Sequence, residues 1–482
     1  MRKKFITNLA LVLLLNILVK PFWVLGIDRT VQNVVGAESY GLYFSLFNFS
    51  LILNIILDFG ITNFNNRNIA QHNQLLAKFF SNIVVLKLML GFAYSIFCIV
   101  IGLIFSFTWY QFYLLSFLIL NQFLLSFILY LRSNISGLLL FKTDSLISVL
   151  DRFLMIAICS FLLWSNFTKT EFKIEWFIYA QSFSYFVTAI VAFFIVFFKS
   201  NFIKIKFDRT FLIAILKQTY PYALLVFLMG FYNRFDGFII ERILHDGQAQ
   251  VGIYAQAFRL LDAVSQFSLL FAGLLLPIFA TLIKNKESIN QILEFSFLLL
   301  LTLSMTAAIV SISYSSEIMD LLYIEHVKSS SAIFAILISA FVPISISYIF
   351  GTLLTANGSI KELNIMALSG VLINLILNLI LIPKFNAIGA AITAIITQSF
   401  TAIIQIIITK RIFKIKIQAK QIVKIISFVI ILFAIILGIK EIISNWLIGI
   451  SISVLSGIIL GIFFKLLNIK TFYQVMKSGD KF

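Results

Sequence analysis

The sequence predicts an all-α integral membrane protein with about 14 transmembrane helices, each long enough for a hydrocarbon core of about 30 Å. Two observations carry that prediction. Hydrophobic residues make up 61% of the 482-residue chain and charged residues only 12%, against about 45–50% and about 25% in soluble domains. The apolar residues also fall in unbroken runs of about twenty, the pattern of spanning helices. A β-barrel is excluded, because its strands alternate apolar and polar residues in segments of about ten.

In chain order the predicted spans are 5–26, 39–60, 79–105, 109–131, 146–164, 176–198, 219–240, 253–283, 292–314, 331–356, 363–382, 387–409, 422–438 and 446–464. The first follows a charged start, Met1-Arg2-Lys3-Lys4. It is too long for a signal peptide and no small-residue cleavage site follows, so it reads as a retained helix. Pro21, Pro221, Pro277 and Pro343 put potential kinks in four spans, since proline removes a helix hydrogen bond. Pro383 is expected to end the eleventh span, and Gly389-Ala390-Ala391 lets the twelfth approach it closely.

Charge sets the orientation. With the N-terminus cytoplasmic, 24 of the 37 Lys and Arg residues fall in cytoplasmic segments and 7 in the opposite loops. Lys20, Lys87, Arg152, Lys217, Arg234 and Arg259 lie in or at the edges of spans. This positive-inside bias puts both termini in the cytoplasm. The net charge of +17 therefore orients helices and meets anionic head groups; no nucleic-acid partner is implied.

Two basic connectors, 199–209 and 410–420, alternate basic and apolar residues. They read either as interfacial segments on the cytoplasmic leaflet or as ordinary positive-inside loops. They divide the chain into an N-terminal six-helix lobe (1–198), a connector (199–210), a C-terminal six-helix lobe (211–409), and a final segment (410–482) with a second connector, two extra helices and a tail. An internal echo supports the two lobes. Gly41-Leu42-Tyr43 opens span 2 and Gly252-Ile253-Tyr254 opens span 8, as expected for parallel repeats.

Little in the chain suggests bond chemistry. The loops are short, leaving no large extracytoplasmic domain for catalytic groups. No phosphate-binding Gly-x-x-x-x-Gly-Lys motif is present. Cys98 and Cys159 sit in apolar runs, and His72, His245 and His326 are scattered through loops. No cofactor, metal or enzymatic activity is expected.

The anomaly is 231–262, flanked by long apolar runs yet carrying Arg234, Asp236, Arg259 and Asp262. Charge at membrane depth costs about 2.5–3.5 kcal/mol per residue on insertion scales. These residues either line a polar cavity or brace helices by pairing. Arg259 and Asp262 are three apart and can pair on one face, whereas Arg234 and Asp236 point apart. Asp236 could meet a cation on span 8 or span 1, or carry a coupling proton or sodium ion. Asp58 reads as a pin at the cytoplasmic end of span 2.

Three stretches resemble the polysaccharide flippase family, exporters of O-antigen and other lipid-linked oligosaccharides. That family shares a fold with multidrug/toxin extrusion transporters and lipid II flippases. The first stretch, 34–71, is similar to its opening pattern through Gly36, Tyr40, Gly41, Asp58, Gly60 and Arg67. The second joins Arg234-Phe235-Asp236 to Gly252, Tyr254 and Ala257. The third, 374–394, resembles the family's span 11–12 hairpin. There Asn374 and Asn378 lie one turn apart, so both amides can bond across to a neighbouring helix.

The resemblance implies two six-helix lobes around a central cavity, in a bacterial inner membrane. It implies a polyprenyl-pyrophosphate-linked glycan as substrate, moved outward by alternating access for surface polysaccharide such as lipopolysaccharide, and contact with the polymerase machinery. An anionic, hydrated head group needs fixed positive charge in a wet path. Lys20, Lys87, Arg152, Arg234 and Arg259 are the available cations, though each could instead snorkel or pair locally. Asp151 adjoins Arg152, and Lys20 precedes Pro21. Two other functions fit less well. A cation-coupled multidrug exporter would need more carboxylates than cations at its site. A membrane glycosyltransferase or polymerase would need a catalytic loop.

Overall fold

The computed structural model describes residues 19, 21–62, 65–66, 69, 76–138, 140–165, 171–200, 209–415 and 419–467. These are mostly helical, without a strand among them. Among them, 13 helices are long and apolar enough to cross a membrane. Most of the first predicted span, 5–26, lies outside the described residues. Most other boundaries agree with expectation to within a few residues, because continuous hydropathy is a local property; the helices through the second and seventh spans begin earlier, at Phe22 and Arg209. The chain divides into two compact units, Met1–Gly252 and Ile253–Phe482.

In the first unit a π-helical stretch, Phe22–Asp28, runs straight into α1 (Arg29–Leu53). The loop expected at 27–38 is therefore helical. The chain changes direction only at Gly36, with φ 77° and ψ 168°, a conformation open to glycine because it lacks a Cβ. There follow α2 (Leu76–Ile104), α3 (Trp109–Gly137), α4 (Phe141–Trp164), α5 (Ile174–Ser200) and α6 (Arg209–Ile243). Thr108 and Gln111 close a reciprocal capping box at the start of α3. The unit is held by α3 against α5, α4 against α5, and α1 against both α6 and α3.

Buried amides and hydroxyls of α3 join these helices, as polar side chains do between apolar spans. Asn54 donates to Gln122 at 2.7 Å. Asn65 donates to Ser133 at 2.8 Å and to Asn134 at 3.0 Å.

The echo glycines meet. α7 (Gly247–Lys284) begins in the first unit, and its first turns cross α1 backbone to backbone. A Cβ on Gly41 would stand 1.8 Å from the Gln248 carbonyl oxygen, and one on Gly252 would stand 2.0 Å from that of Ala37. Each glycine thus faces the carbonyl one turn before its counterpart. The contact is reciprocal, like a small local dyad, and only glycine lets two helix backbones come so near.

The second unit continues α7 and adds α8 (Asn290–Ser313), α9 (Ser315–Leu322), α10 (Val327–Ser339), α11 (Phe341–Ala356), α12 (Ile360–Phe385), α13 (Ala387–Phe413), α14 (Ala419–Ile442) and α15 (Trp446–Phe463). Contrary to expectation, α12 runs through Pro383 for two more residues and turns at Asn386, φ 51°. Asn378 donates to Asn374 at 3.1 Å along the same helix. A Cβ on Gly389 would lie 2.3 Å from the Leu381 carbonyl oxygen, so the hairpin depends on that glycine.

α13 buries Thr393, Thr397, Thr401, Gln405 and Thr409, a stripe recurring every fourth residue. The last helix docks in a similar way. Gly449, Ser453, Gly457 and Gly461 form a buried stripe on α15 that meets Tyr314, Thr306 and Thr302. Lys440 on α14 reaches Glu317 at 2.7 Å and donates to the Ser313 carbonyl, also at 2.7 Å. The final pair is an integral layer of the second unit.

Candidate functional site

The expected site residues fall into three environments. The first is a buried brace. Lys87 is 1% exposed, and its ammonium donates to Asp58 at 2.6 Å, to the Leu57 carbonyl at 2.8 Å and to Ser126 at 3.0 Å. A lysine has three N–H donors, and all three are used. Asp58 also accepts from the Gly60 amide at 3.1 Å, the Thr62 amide at 3.3 Å and the Thr62 hydroxyl. Phe59 and Gly60 have positive φ, 44° and 81°. The pair clamps the turn after α1 onto α2 and α3, and leaves Lys87 no proton for a ligand.

The second environment surrounds Arg152 on α4. Its guanidinium carbon lies 5.4 Å from the Trp23 ring centroid and 5.9 Å from that of Tyr185. Asp151 is 3.9 Å away, and the arginine side chain is still 28% exposed. Trp23 stacks on Phe177 at 5.7 Å with planes 7° apart. Tyr43 meets Phe177 edge-on and accepts from Gln181 at 2.8 Å. Next to this wall, Tyr40 donates to both oxygens of Asp28, at 2.9 and 3.1 Å, and Gln32 donates at 3.3 Å. A guanidinium carries five donors in a rigid fork suited to phosphate and carboxylate, and here aromatic faces hold it in place.

The third environment is the stretch 231–262, which the two units share. Arg234, half-buried, and Asp236, buried, belong to α6 in the first unit; Arg259 and Asp262, both half-buried, belong to α7 in the second. All four engage other groups of the protein. Lys20 and Arg67 lie outside the described residues. No group of His, Cys, Asp and Glu among the described residues could hold a metal ion.

Two features escaped the sequence reading. Asp28 fell in a predicted loop, yet it is 2% exposed at the base of the aromatic wall. Glu241, assigned to the loop after span 7, has a side chain only 4% exposed. It accepts from Ser45 at 2.9 Å and Gln111 at 2.8 Å, and Arg242 lies beside it at 3.3 Å. Arg242 in turn sits 4.5 Å over the Phe107 ring and donates to the Phe105 carbonyl at 3.1 Å. The available signal was charge immediately beside an apolar run.

A family described as polysaccharide biosynthesis protein matches residues 7–283. The chain belongs to that family. The matched segment holds Gly36, Gly41, Asp58, Lys87, Arg152, Arg234 and Arg259. No curated protein matches the chain. Among solved structures it is similar to the lipid II flippase MurJ in an inward closed conformation, with TM-score 0.70 at 16% identity, covering 94% of this chain and 99% of that one. It is also similar to an inward-facing multidrug resistance MATE family transporter of the MOP superfamily, with TM-score 0.62 at 15% identity, covering 85% and 98%. A MOP superfamily transporter from Pyrococcus furiosus gives TM-score 0.58 at 14% identity, covering 84% and 93%. The chain thus has the fold of these transporters, in a multi-pass helical membrane protein.

Proposed function

We propose that this protein is a flippase carrying a polyprenyl-pyrophosphate-linked oligosaccharide from the cytoplasmic to the outer leaflet of the bacterial inner membrane. The observation that carries this reading is family membership joined to near-complete overlap with the fold of a lipid II flippase. Lobes 1–198 and 211–409 alternate access, with both termini in the cytoplasm, in support of surface polysaccharide synthesis. The pyrophosphate is negatively charged and must cross an apolar layer, so fixed cations have to replace its water. Arg152, Arg234, Arg259 and Lys20 serve as head-group contacts. Lys87 and Asp58 brace the first unit, because their bonds are internal. Asp236 and Asp262 pair with cations or carry a coupling proton or sodium ion.

The test is complementation of a deletion strain. Arg152→Ala, Arg234→Ala and Arg259→Ala should each abolish surface glycan while the protein accumulates normally in the membrane. Wild-type glycan from all three variants would overturn the reading. The fold match to multidrug transporters favours a second reading, cation-coupled drug export. That reading requires the deletion to raise drug sensitivity without changing surface glycan.

A further inference from the structure

We infer that the cavity where α8, α13 and α14 meet binds the head group of an anionic phospholipid. It encloses about 510 Å³ within the second unit. Lys410 and Lys414 reach it from the end of α13, Glu294 from the first turns of α8 and Gln421 from the start of α14, while Phe297 and Phe350 line its apolar side. The two rings meet edge to face at 5.7 Å. Gln421 donates its amide to Glu294, which turns that carboxylate away from a ligand without cancelling its charge; the two ammonium groups still leave the lining net positive. Arg411, Lys420 and Lys424 raise the positive charge of the same segment.

Three features select this ligand. At 1.5 Å per residue the 27 residues of α13 extend about 40 Å, beyond a hydrocarbon core of about 30 Å. Lys410 and Lys414, at its end, therefore sit at head-group depth. Lysines near a helix C-terminus are favourable by themselves, but that accounts for neither the enclosed volume nor the aromatic side. Cation beside apolar surface is what a phosphodiester carrying acyl chains requires, and basic pockets between spanning helices take such head groups. A free phosphate would gain nothing from Phe297 and Phe350.

The experiment uses the full-length protein in neutral detergent, titrated with phosphatidylglycerol or phosphatidylcholine, and reads thermal melting and bound lipid by native mass spectrometry. Phosphatidylglycerol should bind and raise the melting temperature; phosphatidylcholine should not. Lys410→Gln with Lys414→Gln should weaken phosphatidylglycerol binding about thirtyfold, as expected for losing two cations at a lipid surface. Lys410→Arg with Lys414→Arg should retain it, and so should Lys384→Gln, which removes one charge from the end of α12. Equal binding by the double Gln variant would overturn the assignment. So would one-for-one displacement by undecaprenyl pyrophosphate at lower concentration, which would give the cavity to a prenyl carrier. Binding in micelles requires neither transport nor a fixed orientation, so failure here and failure of the flippase reading are separate results.

Discussion

The two units bury different kinds of polarity. Among the described residues, Asp28, Lys87, Asp151 and Asp236 of the first unit are all more than nine-tenths buried, whereas every buried polar residue of the second is neutral. In the second unit, hydroxyls and amides recur along α13 and α15, where small polar residues let helices pack closely and bond. Removing one such bond costs little, because an alternative partner is usually near. The first unit buries neutral amides and hydroxyls too, but adds these ions, and a buried ion stripped of its partner cannot be solvated. The first unit therefore commits more of its buried interior to charge, whereas the second keeps its charges at exposed or half-buried positions.

Substitutions in both units test that contrast. Lys87→Met should have the largest effect, about 3 kcal/mol, the low end for a broken buried pair, because it leaves Asp58 with only the neutral Gly60 and Thr62 donors. Combining it with Asp58→Asn should recover part of the loss, as read by thermal melting of purified protein. If the single variant melts like wild type, the brace is not needed. Gly41→Ala comes next, at about 1–3 kcal/mol or more, since its Cβ meets backbone. Gly457→Ala should lose less, because the atoms it meets belong to the Thr306 side chain, which can turn away. The reverse order would refute the crossing's importance.

Arg152→Ala should lower stability by about 0.5–2 kcal/mol through its lost aromatic contacts, yet abolish glycan export. Arg152→Lys keeps the charge and should restore export only in part, because a lysine has no planar fork. Full export with either variant would remove Arg152 from the head-group path. The smallest effect is expected in the second unit. Thr401→Val, which deletes a 2.9 Å bond to the Gln398 carbonyl, should cost about 0.6 kcal/mol. A loss as large as that of Lys87→Met would erase the difference between the units.

The spanning helices were legible because apolar length is written locally. Gly36, Tyr40 and Gly41 were legible as a motif, and the three do different physical work. Gly36 makes a turn with positive φ, Tyr40 bonds to Asp28, and Gly41 opens a helix crossing. The turn expected within 27–38 is confined to Gly36; it looked longer because charge at Asp28 and Arg29 reads as a loop until its partners are known. Tyr40 is one of those partners, twelve residues on. Lys87 looked like a ligand-binding cation for the same reason. Its acceptors come from residues 29, 30 and 39 positions away, a coincidence that no local pattern encodes.

Sequence alone determined that this is a helical membrane protein, where nearly all its spans lie, and which charges are anomalous. Hydropathy and charge act residue by residue, so they can be read without coordinates. Only the tertiary structure decided what each charge does. Whether a cation is consumed by internal acceptors, as Lys87 is, or held against aromatic rings and still 28% exposed, as Arg152 is, depends on groups that meet only when distant helices pack.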